Sequence, residues 1–382
     1  MTGEARPRGR FHDHHSHASL YASFMGLPDV GGLSRPEALS LLAALPEDRL
    51  SIAKGWRTDR LALAPADLEP LPPLVLVNAS LHGFAASPRA VPFIEEMWPE
   101  MAERLGDAAW GERNLPRLFV FYGRVAGLDA KKLALFMSAL EGLGIGSVED
   151  MTVSGAKAID LYAAPPFAGR ILPWATPEVF EELSAERKAA CAGVKLFLDG
   201  SLGARSAALD APFSDGREGQ LLYSDDELAE ALAALARGRA ALSAHAIGHR
   251  AIAQALGALE RLRSDGVEFP SVRLEHVQFI DEAQARLCRE RGIVLSMQPN
   301  FNSDSIDYAD RLIPRHRAEN DPFRMLIDAV GFKPGVDLLF GSDGMPHGID
   351  EALRSALECA YPGQRLSRAE VEAGYALDSN VR

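Results

Sequence analysis

The chain has 382 residues, 47% of them hydrophobic, and a formal net charge of −13. Such a composition allows a large core and excludes disorder as the default, while the acidic balance and the lack of a long Lys/Arg run exclude a nucleic-acid surface. Three scattered cysteines, Cys191, Cys288 and Cys359, exclude a disulfide framework, and no apolar stretch approaches the ~18 residues of a membrane span.

The opening MTGEARPRGR is polar and has no apolar signal core, so a cytoplasmic protein is expected. Arg10–His15 is the first candidate strand. From Pro28 to Arg124 the chain turns Pro- and Leu-rich, with LPPLVLVN and LFVFYGR as strand candidates, and this stretch is taken as an insertion or lid subdomain, 28–124. Regular alternation begins afterwards. Gly146–Met151 and Gly169–Trp174 are short strand candidates, and Thr176-Pro177 opens a helix with an N-cap and a proline in the first turn. Val194–Leu198 is near-continuously apolar, as a strand covered on both faces should be. Ser224 with Glu227 makes a capping box before LAEALAALARG, and Ala241–Ala244 follows as a strand. Val272–Leu274, a helix opened by Asp281 and Gln284 and closed by Gly292, Ile293–Met297 and Val336–Phe340 complete the series.

Eight strands alternating with helices predict a (β/α)₈ TIM-type barrel with a long insertion after strand 1, the whole of 1–382 forming a single domain. A length prior of ~150 residues per domain would give two, but α/β barrels run to ~200–400 residues as one. The open doubly wound sheet is the alternative, yet no GxGxxG follows any strand.

In FHDHHSH, residues two apart share a strand face, so Asp13, His15 and His17 point one way and His12 and His14 the other. Two imidazoles at one strand end can chelate a divalent ion, although a His-rich segment without function reads the same. Lys195 lies inside an apolar strand, where a cation is costly unless it is neutralised, escapes at the strand end or pairs with Asp199. His245, His276 and Asp343 each end a strand candidate. Singly each reads as structural, Asp343 for instance as a helix cap. Together with His15, His17 and Lys195 they would meet at the barrel's C-terminal face, where polar residues read as catalytic. Gly341 and Ser342 beside Asp343 are expected to leave room for a cation and water.

The segments FHDHHSH, VKLFLDGSLGARSAAL, AHAIGHRAIAQAL, RLEHVQFIDEAQARL with SMQPNF, and LLFGSDGMP resemble, in order, the amidohydrolase superfamily in its YtcJ-like branch (amidohydrolase family 3), which includes N-substituted formamide deformylases. The resemblance implies a mono- or binuclear zinc-type centre: one or two divalent ions on His15, His17, Lys195, His245, His276 and Asp343, with Lys195 at the position of a carboxylated, bridging lysine. It also implies that Asp343 handles the proton of the attacking water. Three departures stand out, one being that the segment after strand 1, ASLYASFMG, is unlike the family's. The family's β-sandwich is not expected in this chain, and the family's AIGD is here Ala246-Ile247-Gly248-His249.

The expected function is metal-dependent hydrolysis of a C–N, amide-type bond of a small molecule. His249, or His82 in LHGFAAS, is the candidate for holding the oxyanion. The alternatives are a lactonase or esterase, a deaminase, a decarboxylase, or a non-catalytic metal-binding relative. Partners are expected to be a small-molecule substrate and a second copy in a homodimer, with neither nucleic acid nor membrane.

Overall fold

A computed structural model describes residues 10–57, 60–79, 81 and 83–377. The chain divides into two compact units, one of residues 1–18 and 136–382 and the other Ser19–Leu135.

The first unit holds the barrel. Strand β1 (Phe11–Ser16) is followed, beyond the second unit and its strands β2 (Ser51–Trp56), β3 (Leu74–Asn78) and β4 (Phe84–Ala86), by β5 (Ile145–Asp150), β6 (Ile171–Ala175), β7 (Gly193–Phe197), β8 (Ala241–Ala246), β9 (Val272–His276), β10 (Val294–Met297) and β11 (Leu338–Phe340). The eight barrel strands pair in the order β1-β5-β6-β7-β8-β9-β10-β11, every pair parallel. All eight expected strands are therefore present, in a nearly closed (β/α)₈ barrel. Their sequences are apolar because helices cover one face and the barrel interior the other. The expected helix starts also form. Ser224 caps 225–237 by accepting from Glu227 N–H while Glu227 accepts from Ser224 N–H, and Asp281 with Gln284 does the same for 282–290.

Among the described residues β11 and β1 form no strand ladder; other bonds close the barrel there. Asp343 N–H donates to His15 O at 2.7 Å, Ser342 N–H donates to the Asp13 carboxylate at 2.9 Å, and the Ser342 hydroxyl donates to the same carboxylate. His12 N–H, earlier on β1, donates to Tyr375 O at 2.8 Å. Gly341 permits this approach, since a Cβ there would lie 2.3 Å from His15 N. Gly341 and Ser342, expected to leave space for a cation and water, are thus spent on seating β11 against β1.

In the second unit β2 pairs parallel with β3, and β3 antiparallel with β4. LPPLVLVN supplies β3, as expected. LFVFYGR does not form a strand: it lies in a helix, Leu115–Ala126, with Leu118 to Gly123 all buried. A helix apolar all round has the same continuous hydrophobic run as a strand covered on both faces, so periodicity could not separate them. Pro116 in its first turn was the missed signal. The helix packs with Leu20, Phe24, Val75, Val77, Ile94, Trp98 and Trp110 into this unit's own core.

Candidate metal centre

Every residue of β1 is buried, and its alternation separates two sets of side chains. His12 Nδ1 lies 2.7 Å from Ser147 Oγ and His14 Nδ1 3.1 Å from Glu149 Oε1. Asp13 instead binds Ser342, and burial raises its carboxyl to about 6 against the opposing hydrogen bonds. His15, and His17 just beyond the strand, join Asp343, which follows β11. Potential ligand atoms of these three lie within 4.8 Å of one another. His17 Nε2 is 3.1 Å and His15 Nε2 3.6 Å from Asp343 Oδ1.

The imidazoles are aimed by groups behind them. His15 Nδ1 lies 2.6 Å from Glu275 Oε2 and His276 Nδ1 2.7 Å from Gln298 Oε1. A carboxylate and an amide oxygen only accept, so each Nδ1 carries the hydrogen and each Nε2 keeps its lone pair. Thr152 Oγ1, 2.7 Å from His17 Nδ1, can hold that ring the same way. His245 is reversed: its Nε2 donates to Gly200 O at 3.1 Å, leaving Nδ1. Centroid separations of 5.7 Å from His17 to His15, 4.7 Å from His15 to His276 and 4.5 Å from His276 to His245 line up the four rings.

Lys195 is fully buried on β7, and its Nζ has no hydrogen-bond partner among the described residues. It neither reaches solvent nor pairs with Asp199, whose carboxylate accepts from the backbone N–H groups of Ala208, Ile247 and Gly248. Burial lowers the ammonium to about 8, with Glu275 opposing and Arg273 assisting.

Glu275 joins this centre to the barrel interior. Besides His15 it accepts from Ser243 Oγ at 2.6 Å and from Arg273 Nε. Arg273 Nη1 lies 2.9 Å from both oxygens of Glu149, which also accepts from Trp174 Nε1 at 2.6 Å. Burial alone would raise both glutamates, but the Arg273 charge holds them well below the usual carboxylate range. Burial would likewise raise Asp343, yet His15, His17 and His276 hold it far below. His276 itself is kept well below the ordinary imidazole value by burial and by its neighbours His245 and His15.

Four neighbouring imidazoles, an anionic carboxylate and an unpartnered buried amine fit one or two divalent cations. Of the residues expected from sequence, the structure brings His15, His17 and Asp343 together, with His276 beside His15, His245 beside His276, and Lys195 within electrostatic reach of His15 and Asp343. His249 is grouped elsewhere, with Asp210 and His316. His82 lies outside the described residues. Sequence reasoning did not single out Glu275, Arg273 or Glu149, although polar letters within apolar strands marked them. Nor did it find His347, whose Nε2 is 2.8 Å from Ser16 Oγ and which burial pushes down to about 4.

The chain is similar to known proteins in sequence and in fold. The family model described as "Amidohydrolase family" matches residues 128–370. The protein YtcJ of Bacillus subtilis (strain 168), whose name assigns it to the amidohydrolases, is 29% identical over 122 residues, 31% of this chain and 23% of that relative's length. The crystal structure of an uncharacterized metal-dependent hydrolase from Pyrococcus furiosus superposes with a TM-score of 0.71 at 23% identity, over 96% of this chain and 80% of that one. A second, from Pyrococcus horikoshii OT3, gives 0.67 at 23%, over 97% and 78%. At these identities the two structures speak for the fold.

Proposed function

Since the chain belongs to the amidohydrolase family, we propose that it is a metal-dependent hydrolase that cleaves a C–N, amide-type bond of a small molecule at the barrel mouth. The observation that carries the reading is the meeting of His15, His17 and Asp343 beside His276, His245 and an unpartnered buried Lys195.

His15 and His17 would hold one cation with Asp343, His245 and His276 a second, and Lys195 would lie between them; zinc suits this imidazole and carboxylate set. When bound, such a cation supplies Lewis acidity and makes a water acidic enough to deprotonate near neutral pH. Asp343 takes a proton from the attacking water on its carboxylate and returns it to the leaving amine nitrogen. Glu275 and Gln298 keep His15 and His276 in the tautomer that presents Nε2. Lys195, lowered to about 8, has a larger neutral fraction at neutral pH than an ordinary lysine. Its free amine can add to carbon dioxide, forming an N–C bond and releasing a proton to water, and the resulting carbamate would be an anion with two oxygens able to bind a cation.

Metal analysis of protein purified without chelator, combined with a hydrolysis screen of N-acyl compounds alongside lactones and amino-heterocycles, tests the reading. About one or two divalent ions at the barrel mouth with turnover of N-acyl substrates is the expected result. A folded chain that cannot be loaded with metal would overturn it, and turnover confined to lactones or amino-heterocycles would replace amide cleavage by those reactions.

A further inference from the structure

A second group of ligand-type side chains lies outside the barrel-mouth centre and shares no residue with it. Asp210 comes from the segment after β7, His249 is the first residue of the helix His249–Ser264 after β8, and His316 lies in Pro314–Glu319 after β10. One ligand-type atom from each lies within 4.8 Å of the others. His316 Nε2 is 2.8 Å and His249 Nδ1 3.6 Å from the same oxygen, Asp210 Oδ1. The ring centroids of the two histidines are 5.5 Å apart, and the Phe279 ring lies 5.2 Å from one and 5.7 Å from the other.

The backbone beneath the cluster is fixed. The Asp199 carboxylate accepts from Ala208, Ile247 and Gly248 N–H, and so ties the loop carrying Asp210 to the loop carrying His249. Arg250 N–H donates to Ala208 O at 2.9 Å. Gly248 makes the approach possible, because a Cβ there would lie 2.3 Å from the Ala208 carbonyl. These are supports of the kind that hold side chains at a preset spacing.

We propose that Asp210, His249 and His316 bind a single divalent transition-metal cation of zinc type, at a site separate from the barrel mouth. His249 Nδ1 is buried and has no hydrogen-bond partner among the described residues, yet it points toward a carboxylate. The two atoms stand 3.6 Å apart, beyond hydrogen-bond distance. Zinc–nitrogen and zinc–oxygen bonds of ~2.0–2.2 Å at a tetrahedral angle set ligand atoms ~3.3–3.6 Å apart. That separation already exists for His249 and Asp210, and His316 must draw back by well under 1 Å. Behind His249, Glu319 Oε2 lies 3.8 Å from Nε2, where an outer carboxylate would orient a metal-binding imidazole. Asp210 is half exposed, which leaves a way in. Its present counter-ion is Arg315, with Nη1 and Nη2 2.9 and 2.7 Å from the two oxygens. That guanidinium is 46% exposed, which screens the pair, and its Nη2 also lies 3.1 Å from His316 Nε2, so it competes for two of the three ligands.

The test uses the full chain, stripped with chelator, reloaded with zinc, and examined by metal analysis and by anomalous diffraction at the zinc edge. A peak is expected between Asp210, His249 and His316, read separately from any peak at the barrel mouth, so the outcome does not depend on the hydrolase reading. His249→Ala and His316→Ala should each lose that peak and one zinc equivalent while keeping barrel-mouth zinc. Arg315→Ala leaves all three ligands in place and should bind the cluster zinc equally or up to about five-fold more tightly, the range set by an exposed ion pair. No cluster peak in zinc-saturated wild type, or equal zinc content in wild type and both histidine variants, would overturn the proposal. If a histidine variant fails to fold, the wild-type map and Arg315→Ala decide, and weaker zinc binding by Arg315→Ala overturns it.

Discussion

Asp343 adopts φ 55, a left-handed conformation uncommon outside glycine though better tolerated by aspartate than by most residues. Its N–H bonds to His15 O at 2.7 Å, and its carboxylate lies beside His15 and His17. A helix cap would tolerate an amide in this position, whereas a proton acceptor would not. Asp343→Asn should therefore fold, keep at least one metal ion and lose turnover by ~10²–10⁴-fold. Normal kcat in a metal-loaded Asp343→Asn protein would remove the residue from proton transfer; the next helix, Ile349–Leu357, has Gly348 at its N-cap, so the capping role expected as an alternative is not found. Lys195 makes a different prediction. Lys195→Ala should lose most bound metal, and added short-chain carboxylates should restore part of it by standing in for a carbamate. Full metal content without rescue would make the lysine structural. Glu275→Gln retains the shape but releases the charge that fixes the His15 tautomer, and should weaken metal binding by ~10–100-fold. These three residues differ in how readily they are read from sequence. Asp343 and Lys195 stand out locally, by strand-end position and by a cation in an apolar run. The meaning of Glu275 depends on His15, 260 positions away, and on Arg273, whose partner Glu149 lies 124 positions away, so nothing local announces it.

At the scale of elements, strands buried on both faces were the most legible part of the fold, because continuous apolar runs of a few residues bounded by capping signals have few other readings. The same feature misled at Leu115–Ala126, where a helix surrounded by core looks like such a strand. How β11 meets β1 was not legible at all. It depends on Asp13, which the sequence presents merely as one letter of a His-rich motif, and on Gly341, whose missing side chain makes room for His15. Gly341→Ala would place a Cβ 2.3 Å from His15 N, so β11 must shift away from β1. Loss of metal binding together with a lowered Tm is the expected outcome. An unchanged Tm would mean that the seam has slack the structure does not suggest.

For the whole molecule, buried carboxyls shifted in opposite directions set the pH response. Burial raises Asp13 to about 6 and Asp304 to about 7, so the folded chain binds protons there more readily than the unfolded chain. Their contribution to stability is greatest near pH 4 and declines as pH rises through about 7. Glu149, Glu275 and Asp343 are lowered, and their contribution is present above about pH 4 and lost in more acid solution. Urea titrations across pH should show that Asp304→Asn flattens the decline between about pH 4 and 7, and an unchanged slope would remove Asp304 from this account. The seam has a further consequence. His15 and His17 stand on its β1 side and Asp343 on its β11 side, with the seam's own bonds reaching across from Asp13 and His15. A cation held by these three residues is thus also a clasp across the β11–β1 junction, where no strand ladder forms among the described residues. Deuterium uptake should register it: chelation should speed amide exchange in β1 and β11, while β8 and β9, bonded along their length, remain protected.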